Sequence, residues 1–189
     1  MANFVVTFLL LAWSALAAAA EGSAIFLIAK PEMPDPNFKQ TVVLVVNPPN
    51  GAPVGVVLNR PTDLRLGKVL DKHPRGTARE DPVYAGGPVE RNTLWFVFRA
   101  ATAPPRAWHV VEDVYFSGQA SALEWVFRQP QGAEQKFFAG YAGWSPGQLE
   151  NEIARGDWLY LRADPANIFR LDVLQLWPEL LRRARQVQT

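Results

Sequence analysis

The segment 143–147 reads GWSPG and matches G-x-S-x-G, the pattern in which α/β-hydrolases place a nucleophilic serine between a strand and a helix. In that chemistry the residue after the serine donates its backbone N–H to the oxyanion hole, but here this residue is Pro146, which has no N–H. The triad of these hydrolases also needs a histidine downstream of the serine, whereas His73 and His109 both lie upstream. We therefore expect Ser145 to be a turn residue and not a nucleophile.

A second set of residues suits the recognition of anions. Arg60 ends an apolar segment and is held extended by Pro61, so its guanidinium can face a crevice and bind a carboxylate or phosphate in a bidentate manner. Asp35 precedes a proline and is expected to accept backbone N–H groups in an Asx-type turn. These residues predict a polar cleft with an aromatic wall, and its candidate members are Asp35, Asn59, Arg60, Gly86, Gly87, Trp144, Gln148 and Glu150.

The same residues have a purely structural interpretation. Arg60 can pair internally with Asp35 or Glu150, because a buried guanidinium needs a partner. In this interpretation the only role of Gly86 and Gly87 is to let the backbone turn and approach a neighbour closely. Of the two interpretations we expect the internal pairing.

Composition and charge exclude several classes of function. The chain of 189 residues has no cysteine, which excludes disulfides, thiolate nucleophiles and cysteine-ligated metals. Its net charge of +1 argues against a nucleic-acid-binding role. His73 and His109 have no nearby cluster of carboxylates in the sequence, so we expect no metal site. Glycine-rich nucleotide loops are absent as well, and we expect no cofactor.

The first twenty residues differ from the rest of the chain. Residues 1–20 carry no ionisable side chain and end in small residues that satisfy the small-x-small rule for signal peptidase. We expect a signal peptide over residues 1–20, followed by one domain over residues 21–189 that is periplasmic or secreted. The alternatives are an uncleaved anchor in the inner membrane, which would be the protein's only contact with a membrane, and a misplaced start codon.

Hydrophobic periodicity predicts alternating strands and helices. Strands are predicted at 24–28, 41–46, 55–58, 83–84, 94–98, 110–111, 136–141 and 158–161. Helices are predicted near 66–70 and at 121–127, 148–154 and 172–185, the last one kinked or split by Pro178. This order indicates a single α/β or α+β domain around a mixed sheet.

Four segments together resemble the AlgH/YqgE family of bacterial proteins. The resemblance covers about residues 24–184 and is most specific in the last segment. The segments are FLIA at 26–29 with M-x-D-P-x-F at 33–38, GVVLNRP at 55–61, Y-x-GGPV at 84–89, and GYAGWSPGQLE at 140–150.

The resemblance implies a compact α/β fold with a branched sheet that curls into a pseudo-barrel with flanking helices. It implies no settled molecular activity, although members have been linked to transcriptional control of alginate production. Two features depart from the pattern: typical members have glycine at the position of Ser145, and they begin near Phe26 without a leader.

Three functions remain open at this point. The first is a non-enzymatic binding or regulatory protein of the cell envelope that takes a small anionic ligand or a protein partner. The second is an enzyme of unassigned chemistry with Asp35 or Glu150 as general base and Arg60 as the group that holds an anion. The third, a transcription-linked regulator, rests on the family resemblance alone and conflicts with an export leader.

Overall fold

The computed structural model describes residues 24–48, 51–129 and 134–188. The predicted leader, residues 1–20, lies outside the described residues. Within the described ranges the strands are β1 Ile25–Ala29, β2 Val42–Val46, β3 Val54–Val57, β4 Pro61–Arg65, β5 Pro82–Ala85, β6 Val89–Arg99, β7 Trp108–Val111, β8 Val114–Ser117, β9 Gln135–Gly143 and β10 Trp158–Arg162. The helices are α1 Leu66–Val69, α2 Ala120–Val126, α3 Gln148–Arg155, α4 Pro165–Ile168 and α5 Leu176–Val187.

One mixed sheet holds these strands together, as the order of elements predicted, and it is branched, as the family resemblance implied. Its main path runs β10-β1-β2-β3-β9-β6-β8-β7, and β5 branches off this path by pairing in parallel with β9 and antiparallel with β4. The sheet curls into a half-barrel, and the Ala24 N–H just before β1 donates to the Val110 carbonyl of β7 at 3.2 Å. The two ends of the main path therefore approach each other.

The core lies on both faces of the sheet because the strands β1 and β2 alternate their side chains between two apolar clusters. Phe26 and Ile28 face a cluster that α4 and α5 cover, whereas Leu27 and Ala29 face a cluster covered by α3 and Trp144. A third cluster packs α1 and α2 on the other part of the sheet, formed by β5, β6 and β9. Burial on both faces explains why β2 is apolar throughout.

Two strands, β4 and β8, and the short helix α4 were not predicted, and the last helix, α5, differs from its prediction. β4 was not predicted because it begins with proline and is largely exposed, so it lacks an apolar pattern. β8 forms a hairpin with β7 through Glu112, which adopts the left-handed φ of 51° that seldom occurs in glutamate. The expected kink at Pro178 is wrong: α5 begins at Leu176, so the proline lies in the first turn, where backbone N–H groups have no helical partner.

No helix in the described part of the chain combines the length and the apolar character that crossing a bilayer requires.

Candidate functional site

The sheet branches at β9, because one edge of this strand pairs with two different partners. Val83, Tyr84 and Ala85 of β5 pair with the first half of β9, and Val54 and Gly55 of β3 pair with its last two residues. A gap therefore opens between the end of β3 and the end of β5. In open sheets, ligands bind where neighbouring strands diverge in this way, and the gap is a candidate site by the same logic.

Gly86 and Gly87 pack against the backbone of β9 at the bottom of this gap. A Cβ atom on Gly86 would lie 2.3 Å from the Gly140 carbonyl oxygen, and one on Gly87 would lie 2.2 Å from the Tyr141 carbonyl oxygen. The Gly86 N–H donates to the Ala139 carbonyl, and its own carbonyl accepts from Val57, so this residue connects β9 to β3. Close backbone approach, which the sequence allowed for, is the reason for both glycines.

Arg60 lies at the edge of the gap and holds the loop between β1 and β2. Its Nη2 atom donates to the carbonyl oxygens of Pro36 at 2.9 Å and Lys39 at 3.2 Å. Burial lowers the pKa of Arg60, and the charge of Asp35 opposes that shift. The guanidinium nevertheless stays charged near neutral pH, because an arginine side chain keeps its proton throughout that range.

The expected ion pair of Arg60 with Asp35 or Glu150 is not formed in the structure. No described carboxylate lies within 4.0 Å of the Arg60 guanidinium. The Asp35 carboxylate instead accepts the backbone N–H of Asn37 at 2.8 Å and its side-chain amide at 3.0 Å. The Asx-type turn that the sequence predicted is thus formed. Its hydrogen bonds occupy the Asp35 carboxylate, which therefore does not pair with Arg60.

Asn59 ties the same loop to the sheet. Its Oδ1 atom accepts the N–H of Val42 at the start of β2, and its Nδ2 atom donates to the carbonyl of Gln40, both at 2.9 Å. Two side chains from the end of β3, Asn59 and Arg60, therefore fix the loop that carries Asn37 beside the gap.

We call the gap the branch crevice. It has a volume of about 280 Å³, and its lining residues are Asn37, Val57, Arg60, Thr62, Ala85, Gly87, Pro88, Arg91 and Ala139. Arg91, which no sequence pattern singled out, is an exposed residue of β6 and makes no hydrogen bond or ion pair with any described residue. It comes to the crevice because Gly140, at φ 72°, lies where the register between β6 and β9 shifts.

The structure separates the other three candidate residues from the branch crevice. Trp144 is buried and lines a different cavity at the end of β9. Gln148 accepts the Ser145 N–H through Oε1 at 3.1 Å, and Glu150 is exposed with no described partner. The predicted single cleft is thus two places: Asp35, Asn59, Arg60, Gly86 and Gly87 lie at or beside the crevice, and Trp144, Gln148 and Glu150 lie around the start of α3.

The carboxylate with a defined environment on α3 is Glu152, which was not among the candidate residues. Its Oε2 atom accepts the indole N–H groups of Trp144 and Trp158, each at 3.0 Å, and its Oε1 atom accepts from Gln148 at 2.9 Å. Glu152 therefore faces the sheet, whereas Glu150 is exposed to solvent. The arrangement holds α3 against the sheet, and its three hydrogen bonds engage both oxygens of the carboxylate, which suits a structural role.

Lys136 of β9 is a buried cation that no sequence pattern singled out. It is 4% exposed, its Nζ atom donates to the Arg170 carbonyl at 2.9 Å, and it lies 4.9 Å from the centre of the Tyr84 ring. Burial lowers the pKa of Lys136 to about 8.

His73 has a partner that the sequence analysis did not expect, since its Nε2 atom lies 2.9 Å from Oε1 of Glu124 on α2. Its Nδ1 atom accepts the backbone N–H of Arg75 at 3.3 Å. Among the residues that the structure describes, histidines and carboxylates form no group of three that could hold a metal ion.

Comparisons with known proteins agree on one family. A family model described as AlgH-like matches residues 26–187. A UPF0301 protein of Ralstonia nicotianae is 37% identical over 166 residues, which cover 83% of this chain and 85% of that protein. A UPF0301 protein of Stutzerimonas stutzeri is 39% identical over 153 residues, which cover 77% of this chain and 79% of that protein.

Two solved structures share the fold. The solution structure of the AlgH protein from Pseudomonas aeruginosa superposes with a TM-score of 0.67 at 29% identity and covers 88% of both chains. A crystal structure of a protein from Corynebacterium diphtheriae has a TM-score of 0.68 at 24% identity, covering 84% of this chain and 85% of that one, and supports the fold alone. The sequence segments, the branched half-barrel and these matches together show that the chain belongs to the AlgH-like family, whose function is unknown.

Proposed function

We propose that this protein is a non-enzymatic binding or regulatory protein that takes a small anion, a carboxylate or a phosphate, in the branch crevice. The observation that carries the proposal is the pair of arginines, Arg60 and Arg91, on one crevice that no carboxylate lines among the described residues. Two like charges on one small cavity repel each other unless an anion lies between them, and guanidinium groups suit bidentate contacts to carboxylate and phosphate.

The neighbouring groups support the same proposal. Only Nη2 of Arg60 is engaged by the loop carbonyls, so its other donors are available to a ligand. Asn37 and Thr62 add short polar side chains to the lining, while Val57, Ala85 and Ala139 limit its size. A volume of about 280 Å³ lies at the small end of ligand sites and suits a metabolite-sized anion.

A thermal-shift experiment tests the proposal with the full chain. Citrate, inorganic phosphate and a nucleoside diphosphate are titrated at matched ionic strength. An anion that binds this crevice should raise Tm by roughly 5–10 °C at a hundredfold excess over its Kd. Arg91→Gln should abolish the shift without lowering the Tm of the free protein, because Arg91 has no partner in the described chain.

The matched control is Arg183→Gln, which removes an exposed arginine of α5 that does not line the crevice. This variant should keep the full shift. If no anion raises Tm, or if Arg91→Gln responds like the wild type, the crevice is not an anion site.

We also propose that the protein works in the cell envelope after removal of its leader. The support is the uncharged, alanine-rich segment 1–20, which precedes the family match at residue 26. Intact-mass measurement of the protein purified from its host should give a chain that begins near Ala18 or Glu21. A full-length species in the cytosolic fraction would argue against export.

A further inference from the structure

A second and larger cavity opens at one end of the half-barrel, where β3, β6 and β7 begin and β9 ends. It has a volume of about 810 Å³. Three aromatic side chains, Trp108, Tyr141 and Trp144, line it together with the apolar residues Val54 and Val89. We call this cavity the barrel mouth; the ends of β-barrels are common ligand sites because the strands diverge there and leave apolar side chains partly uncovered.

A smaller cavity of about 300 Å³ lies next to the barrel mouth, and Trp108 lines both. Trp95 lies beside it, with its ring centre 6.0 Å from that of Trp108. Arg106 lies on the same cavity, in a tight turn with a left-handed φ of 58°. Such a backbone conformation costs about 1 kcal/mol or more in a non-glycine residue, and the Ser117 hydroxyl holds the turn by donating to the Arg106 carbonyl at 2.9 Å.

The charged side chain that lines the two cavities is positive. Arg106 is the one charged residue among the described residues that line the two cavities, and no acidic side chain lines either of them. Its side chain is exposed and makes no hydrogen bond or ion pair within the described chain. A ligand that spans both cavities would meet aromatic surface at one end and an unpaired guanidinium at the other.

We infer that the barrel mouth and the smaller cavity beside it together bind an organic anion with a planar, apolar ring system, of the aromatic carboxylate class. The rings of Trp108 and Tyr141 would remove the apolar part of such a molecule from water, and Arg106 would hold its carboxylate. A neutral ring compound would gain only the first contribution, and a small inorganic anion only the second. This site is separate from the branch crevice, which has no aromatic residue in its lining.

The test compares 1-naphthoate with the neutral analogue 1-naphthylmethanol on the ¹⁵N-labelled full chain. Naphthoate should shift the indole N–H resonance of Trp108, which the spectrum of Trp108→Phe identifies. Naphthoate should also bind about tenfold more tightly than the alcohol, which is the usual gain from one charge-assisted contact. In Arg106→Gln the two probes should bind equally.

Two controls keep the interpretation specific. Arg91→Gln, which alters the branch crevice, should leave the affinity for naphthoate unchanged, so the two proposals can fail independently. Arg183→Gln controls for the loss of any surface arginine. The inference is overturned if naphthoate leaves the Trp108 resonance in place, or if Arg106→Gln keeps the tenfold preference for the anion.

Discussion

The branch crevice and the barrel mouth are built in different ways, although β9 contributes to both. In the crevice the backbone sets the geometry: Gly86 and Gly87 press against β9, and Arg60 is fixed by two backbone carbonyls. In the mouth the geometry comes from side chains, because aromatic rings pack against one another at the strand ends. A site defined by backbone should tolerate little change, whereas one defined by aromatic side chains should adapt.

The largest expected effect tests this comparison by adding a methyl group to one glycine at each of the two sites. Gly87→Ala would put a Cβ atom 2.2 Å from backbone atoms of Tyr141, which cannot move without disturbing β9. We expect the free energy of unfolding to fall by about 4 kcal/mol in urea denaturation.

The control lies at the mouth. Gly143→Ala would meet only the Tyr141 ring, at 3.1 Å, and a ring can rotate. We expect a loss of less than about 1 kcal/mol. Equal losses for the two variants would remove the distinction between a backbone-built and a side-chain-built site.

The second prediction concerns the carboxylate that holds one wall of the mouth. Glu152→Ala leaves the indole N–H groups of Trp144 and Trp158, which are 5% and 4% exposed, without their acceptor. We expect a loss of about 3 kcal/mol in unfolding free energy, because each buried unsatisfied donor costs roughly 1–3 kcal/mol.

Glu150→Ala on the same helix is the matched control and should cost no more than about 0.5 kcal/mol, since Glu150 is exposed and contributes only near the helix N-terminus. A small loss in Glu152→Ala would show that the tryptophans are held by packing alone.

The third prediction concerns Lys136, a cation that is buried in the protein, in contrast to the half-buried Arg60 of the branch crevice. The folded pKa of Lys136 is about 8 and its ordinary pKa is 10.5, so between these values the unfolded chain binds a proton that the folded chain does not. Stability therefore rises with pH in this window, and we expect a gain of about 2 kcal/mol between pH 7.5 and 9.5.

In Lys136→Met this gain should disappear, whereas Lys68→Met, which removes an exposed lysine, should keep it. Urea denaturation at several pH values measures the difference. The range stays below pH 10 because burial raises the pKa of Tyr84, the ring beside Lys136, above its ordinary value of 10.0, and that group acts with the opposite sign at higher pH. A rise that persists in Lys136→Met would assign the pH dependence to another group.

The sequence predicted more of the fold than of the site, and the reason is the range of the interactions involved. The strand β2 is visible as the apolar run TVVLVV, and the Asx turn at Asp35 needs only two neighbouring residues. The position of Arg91 depends on a register shift opposite Gly140, which is 49 residues away in the chain. The hydrogen bonds of Glu152 to two indole N–H groups likewise depend on how α3 packs against the sheet.

The smallest expected effect concerns Ser145, which lines the barrel mouth in the G-x-S-x-G segment. Ser145 is exposed, and its hydroxyl makes no hydrogen bond with a described residue; its backbone N–H is taken by Gln148, and Pro146 offers no further donor to an oxyanion. Ser145→Ala should change the unfolding free energy by less than about 0.5 kcal/mol and leave naphthoate binding unchanged. Covalent labelling of Ser145 by a fluorophosphonate, read out by peptide mass spectrometry, would contradict this and make the mouth the site of an acyl-transfer reaction instead of a binding site.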